Sequence, residues 1–432
     1  MRVKDWICLA VATVAVATVA TAVLAPQGGA AQPVIPVQGQ RQVACPVGDP
    51  AFGPTTVAAA AQTELTVWQV GSEATAPALS AELEDPAQPV VAVGDQSLGA
   101  VSTSSQHGKV QAVVCRPPIS NGWWNGVWVT ESQRSSLILT NIDSTAAVVT
   151  ISLQGEAGPL ETTGLRDLEI PRFSTRVVAL NSYLTAEEPI SVVLKASQGR
   201  LMATLRSQGD LGTDWQQSAA APAVLSVIPW SPAGEGNRLL FLTNPSSDRR
   251  AEVQVEALGL EQSYVIAGAE EVSVAPGATA RVELSQALRG QGVGLRVTST
   301  QPVSATLVAT GPDLAGLSAQ PGLGGGIVLP VVPGASLALA NPTPDPITLT
   351  IARRDAEGSE VGLEEIVLAE GSLEAPLAGD AGSIMLTASG PDLRVALVLS
   401  RIGQTEGLAL APLGVGGAAG LNIAIAYRPT VG

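Results

Sequence analysis

One short pattern returns four times along this chain, at intervals the size of a domain. It reads Val110-Gln111-Ala112-Val113-Val114, Leu201-Met202-Ala203-Thr204-Leu205, Val303-Ser304-Ala305-Thr306-Leu307 and Leu393-Arg394-Val395-Ala396-Leu397-Val398, each after a small polar turn. The central alanines lie 203−112 = 91, 305−203 = 102 and 396−305 = 91 residues apart. Solenoid repeats recur every ~20–50 residues, so the repeating unit here is a whole domain. Four such units fit 432 residues at an ordinary domain size of about 100 each.

Three of the units carry a second marker near their starts: Leu137 to Asn141, Leu240 to Asn244 and Leu337 to Asn341. After each Asn comes a polar turn, then an alternating run: Val149, Ile151 and Leu153; Val253, Val255 and Ala257; Ile347, Leu349 and Ile351. Side chains two apart share one face of a strand, so each run predicts a half-buried antiparallel strand. The Asn is suited to bond its own backbone and start the turn. Leu65 to Val70 predicts a strand in the first unit. Short strands with frequent turn residues predict an all-β chain of tandem antiparallel sandwiches, seven-stranded and immunoglobulin-like. Single helical turns are expected at 183–188 and 285–289.

Aromatic residues make up only 3% of the chain, so Val, Leu, Ile and Ala must fill these cores. The expected sandwiches span 44–118, 119–218, 219–319 and 320–432. Pro-rich connectors between them, such as Ala221-Pro222 to Ile228-Pro229, predict a semi-rigid rod. The tail after Leu408 either folds back as a last strand or frays.

The N-terminus sets the expected compartment. Met1 to Lys4 is a basic head, and Ile7 to Ala25 runs without a charge. At 1.5 Å per residue this stretch crosses most of a ~30 Å bilayer. Residues 1–25 therefore read as a transmembrane helix, with a cleaved signal peptide as the alternative. The basic head keeps that end cytoplasmic and puts the rest outside. Residues 26–43, rich in Pro, Gly and Gln, read as a stalk.

Three cysteines fit that topology. Cys8 lies within the apolar run, and Cys45 and Cys115 bracket the first unit. Outside the cytoplasm an isolated pair reads as one disulfide.

The net charge of −15 argues against nucleic acid as a partner. Catalytic signals are sparse. His107 is the single histidine, in the turn Ser105 to Gly108, which excludes His-rich metal sites and weakens any Ser-His-Asp argument. Acidic neighbours such as Glu187-Glu188 point to opposite faces of a strand, so none forms a glycosidase pair by itself. Gly322 to Gly326 lacks the Lys and Ser/Thr of a phosphate loop. No catalytic, cofactor or metal residue is assigned. The one candidate binding cluster is aromatic: Trp123, Trp124 and Trp128, interleaved with Asn121, Gly122, Asn125 and Gly126. Exposed indoles stack on sugars or fill a partner's pocket, and buried ones pack one domain against the next. If Trp123 and Trp124 bind, replacing both leaves the melting temperature nearly unchanged.

The anchor, the Cys45/Cys115 bracket and the strand-turn copies at Leu242 to Pro245 and Leu339 to Pro342 resemble a family of uncharacterised, membrane-anchored envelope proteins of high-GC Gram-positive bacteria, a domain of unknown function. The resemblance covers nearly the whole chain and implies an extracytoplasmic location with no established activity. The expected role is a non-enzymatic, single-pass membrane protein of the cell envelope that binds an envelope protein or a cell-wall glycan. The alternatives are an enzyme or accessory subunit acting on cell-wall glycans, and a surface adhesin.

Overall fold

A computed structural model describes residues 40–47, 54–106, 108–311, 313–377 and 382–414, all within the compact unit Gly39–Gly432. The apolar segment 7–25, His107 and the tail after Gly414 lie outside the described residues. None of the described helices is long and apolar enough to cross a membrane.

The first sandwich contains β1 (Arg41–Cys45), β2 (Thr55–Gln69), β3 (Ala78–Glu84), β4 (Val90–Gly94), β5 (Gly99–Gln106) and β6 (Lys109–Val114). Arg41 to Val43, expected in the stalk, belong to β1 and pair with β4. The second contains β7 (Asn121–Val127), β8 (Gln133–Asn141), β9 (Ala147–Gly155), β10 (Gly158–Leu160), β11 (Leu168–Ile170), β12 (Ser174–Ala179), β13 (Ile190–Gln198), β14 (Met202–Gly209) and β15 (Gly212–Gln217). The third contains β16 (Ala223–Ser231), β17 (Asn237–Thr243), β18 (Ala251–Leu258), β19 (Ser263–Val265), β20 (Val272–Val274), β21 (Thr279–Glu283), β22 (Val293–Thr310) and β23 (Leu314–Ser318). The fourth contains β24 (Ile327–Pro330), β25 (Ala335–Asn341), β26 (Ile347–Arg354), β27 (Glu360–Leu368), β28 (Gly371–Pro376), β29 (Ser383–Ala388), β30 (Arg394–Ile402) and β31 (Thr405–Pro412). Among the described residues, helix is confined to a 3-10 turn at Leu180–Ser182 and one α turn at Ser285–Leu288.

All four share one strand order. In the second, seven positions in sequence are β7, β8, β9, β12, β13, β14 and β15. One sheet runs 1-5-3 (β7-β13-β9), the other 4-2-6-7 (β12-β8-β14-β15). The fourth repeats this as β24-β29-β26 and β28-β25-β30-β31. In the third, β22 supplies both positions 5 and 6: Val293–Ser299, with Val303, pairs in one sheet and Ser304–Thr310 in the other. Pro302 sits at that crossing, where a missing N–H breaks no ladder. In the first, β2 supplies positions 2 and 3. The immunoglobulin order is 1-2-5-4 against 3-6-7. The immunoglobulin-like expectation is therefore replaced by a different antiparallel sandwich.

Between positions 2 and 3, the Asn marker turns the chain the same way three times. Asn141 Nδ2 donates to the carbonyls of Thr145 (2.8 Å) and Ile170 (3.0 Å), and its Oδ1 accepts the Asp143 N–H. Asn244 and Asn341 repeat the set on Arg249, Val274 and Ser246, and on Asp345, Leu368 and Thr343. The first sandwich has no such Asn because β2 runs through; Asp95 and Ser97 hold its bend at Gln62 and Thr63.

The alanine marker is partly out of register. Ala203, Ala305 and Ala396 stand at position 6, on β14, β22 and β30. Ala112 stands on β6, position 7; the structural counterpart of the other copies is β5. Both strands of that hairpin are apolar on one face, so the pattern matches either.

The rod expectation fails. The sandwiches meet in a closed circuit: first to second through Ala44, Val91, Ile142 and Met202; second to third through Trp128, Leu211, Phe241 and Leu314; third to fourth through Val227, Leu258 and Ala340. The fourth returns to the first where Val101, Val110 and Ala112 join its core and Val328 N donates to Ser97 O. The cause lies in the position-7 strands. An edge strand facing water alternates buried and exposed, yet all of β15 and β23 is buried. Each edge packs on its neighbours' edges.

Candidate functional site

Where the four edges converge, polar residues gather. Asp313, in the turn before β23, is buried and accepts backbone N–H groups from all four position-7 strands. These come from Val110 on β6 (2.9 Å), Thr213 on β15 (3.3 Å), Leu314 on β23 (2.9 Å) and Leu408 on β31 (3.4 Å). Edge strands carry unpaired N–H groups, and one carboxylate with four lone-pair sites satisfies four of them. Lys109 Nζ lies 3.8 Å away. Burial pushes the Asp313 carboxyl above the usual range, against the backbone donors and Lys109, which pull it down.

Asp214 on β15 lies beside it. Its Oδ2 accepts the Gly316 N–H at 2.7 Å, and its buried Oδ1 has no partner. Burial first, then the Asp313 charge, raises its pKa well above the ordinary carboxylate value; the Gly316 and Trp215 N–H groups oppose this. Burial of this kind disfavours the charged form of a carboxyl.

Beyond the ends of the strands, Arg116 ties the circuit again. It follows disulfide-bonded Cys115 and donates to Gln217 Oε1 (2.9 Å), Gln320 Oε1 (3.3 Å) and Pro412 O (2.8 Å). Gln217 in turn donates to Val114 O. Gln216 donates to Asn125 O at 3.0 Å. The site is a lock between sandwiches: apart from Asp214 Oδ1, the polar atoms named here bond one another.

The sequence candidates fall in separate places. Cys45 and Cys115 form the expected disulfide. Asn121 to Val127 is strand β7, so Trp123 and Trp124 face opposite ways. Trp124 is 0% exposed in the second core, with Nε1 donating to Gln216 O at 3.1 Å; it presents no face to a ligand. Trp123 is half-buried, its backbone bonded to Ser218 and Ala219. Trp128 is half-buried edge-to-face on Phe241, centroids 5.7 Å apart, between the second and third sandwiches. Gly126 beside it has φ +72°, and a Cβ there would stand 2.4 Å from the Phe241 ring. Sequence reasoning passed over Asp214, Asp313 and Arg116. The available signal was Asp214-Trp215-Gln216-Gln217, too polar for a strand unless both faces find partners.

The second sandwich also bears an open cleft of about 650 Å³, lined by Thr130, Glu131, Arg134, Asn181, Thr185 and Gln208 among others. Glu131 and Arg134 are exposed, whereas Asn181 is engaged with Ser135 and Thr130. Among the described residues no three His, Cys, Asp or Glu side chains group to hold a metal.

The model of a family of unknown function (DUF5719) matches residues 67–375, or 375−67+1 = 309 positions, from within β2 to β28. No curated protein matches the chain.

Proposed function

Because the chain belongs to the DUF5719 family, a family of unknown function, we propose its role from its own architecture. It is a rigid, non-enzymatic component of the bacterial cell envelope, tethered by the apolar segment 7–25 with its sandwiches outside the cytoplasm. It acts as a platform for an envelope protein or a cell-wall glycan. The observation that carries this is the Asp313 lock, in which one side chain bonds all four sandwiches. A fold braced this way holds its outer surfaces in fixed relation, which suits presentation to a partner. The Cys45–Cys115 disulfide supports the oxidising compartment.

An envelope glycosidase needs two carboxylates with access to substrate. Asp214 and Asp313 do come together from different sandwiches, but at 3% and 1% exposure they meet backbone donors and no open cleft. The hydroxyl- and charge-lined cleft of the second sandwich favours a glycan as the bound partner. Membranes treated with a reversible crosslinker and captured through a tag on this protein are expected to yield an envelope protein or glycan. Alkaline phosphatase fused after Pro412 is expected to be active. Inactive fusions would place the sandwiches inside; hydrolysis of cell-wall material by the purified protein would make it an enzyme.

A further inference from the structure

The first and fourth sandwiches meet beside one half-buried thioether. Met385 lies on β29, opposite Val328 of β24 and Ala352 of β26. Val328 N donates to Ser97 O of the first sandwich, and Ser97 Oγ accepts the Gln62 N–H at 3.1 Å. The Gln62 side chain then crosses the junction. Its Nε2 donates to Met385 Sδ at 2.7 Å, over a sequence separation of 323 residues. Arg354 stands two residues beyond Ala352 on β26 and so shares the face of Met385. Its Nη2 reaches the same sulfur at 3.7 Å, and its Nε is buried without an acceptor.

A thioether sulfur accepts hydrogen bonds only weakly, yet donors from two sandwiches converge on this one. Nε and Nη2 form one edge of the planar guanidinium fork, built to meet a strong oxygen acceptor. Here that edge meets sulfur, and a buried donor left unpaired is unfavourable. One added oxygen changes the balance. Oxidation turns the apolar methionine side chain into a polar sulfoxide, and its three rotatable bonds let the new oxygen turn towards the donors. In an apolar core that oxygen disrupts packing. At this junction it would find Gln62 Nε2 and the Arg354 fork. Met202, by contrast, is 2% exposed.

We propose that Met385 is a reversible oxidation site, at which hydrogen peroxide installs the acceptor this junction lacks. The sulfur lone pair attacks one peroxide oxygen, and the O–O bond breaks as the S–O bond forms. The leaving hydroxide takes the proton of the transferred oxygen and departs as water. Sulfur gives up two electrons and the peroxide gains them. The sulfoxide ties β2 of the first sandwich to β26 and β29 of the fourth, and this inference stands apart from the proposed envelope role.

The test treats the full-length protein with graded hydrogen peroxide, follows each methionine by peptide mass spectrometry and records thermal melts. Met385 is expected to gain one oxygen at least tenfold faster than Met202. The oxidised protein should melt about 1–3 °C higher than the reduced one. Methionine sulfoxide reductases for both sulfoxide epimers should return the melt to its starting value. Met385→Leu, a volume-conserving change, should fold and show no rise. Arg354→Lys, which keeps the charge without the fork, and Gln62→Ala should each diminish the rise. Three results overturn the site: oxidation of Met385 no faster than that of Met202, an oxidised protein that melts level with or below the reduced one, or a rise that persists in Met385→Leu or is undiminished in both donor variants.

Discussion

Val110 donates its backbone N–H to the side chain of Asp313 over 2.9 Å, across a sequence separation of 203 residues. That bond joins the first sandwich to the third, and the same carboxylate reaches the other two. Closure of the quartet follows from how edge strands rid themselves of unpaired donors.

Asp313→Ala should be among the most damaging single changes. It strands several buried N–H groups, each costing on the order of 1–3 kcal/mol. Asp313→Asn keeps one acceptor oxygen and should cost less. Denaturant unfolding of the two variants checks the ranking; a loss under about 1 kcal/mol for Ala would remove Asp313 from its assigned role.

The acid pair sets a pH dependence of definite sign. Burial raises both Asp214 and Asp313, so between the unfolded value near 3.8 and the folded values the native state binds more protons. Stability from this pair is fully present below the unfolded value and declines as pH rises through the folded ones. Lys109 and the Val110, Thr213, Leu314, Trp215 and Gly316 N–H groups face the pair and moderate the loss. Asp95, lowered by its Ser97 and Thr63 hydrogen bonds against the opposing effect of burial, contributes with opposite sign. Melting curves from pH 4 to 8 on native protein and Asp214→Asn separate the two, since Asn mimics the protonated acid. The variant should lose less stability as pH rises.

The turns between strands 2 and 3 were legible because their cause is local: Asn141, Asn244 and Asn341 bond atoms four or five residues on. The disulfide was legible from compartment and count. The Trp cluster misled because Asn and Gly between indoles look like a loop, whereas β7 is a strand whose alternation drives Trp124 inward. Ala112 misled because the first sandwich fuses strands 2 and 3 and lacks the Asn that would have fixed its register. Asp313 has no local signature; its partners come from four domains.

Trp124→Ala should therefore cost roughly 3–5 kcal/mol, the usual toll of emptying a Trp site in a core. The expectation that Trp123 and Trp124 can be replaced together without loss of melting temperature is reversed. Trp123→Ala alone should be mild. Equal, small effects of both in thermal melts would return Trp124 to the surface.

Opening the disulfide should remove about 4 kcal/mol by the chain-entropy relation, given the 70-residue separation of Cys45 and Cys115. Cys45→Ser with Cys115→Ser, melted beside the oxidised protein, measures it. A difference below about 1 kcal/mol would show that the bridge does not constrain the unfolded chain.

Small-angle X-ray scattering of a fragment spanning residues 40–414 tests the closed quartet most directly. A single compact body of that length has a radius of gyration of about 21 Å, and four such sandwiches in line would give about 40 Å. The closed circuit predicts a value near the first. One near the second would contradict it.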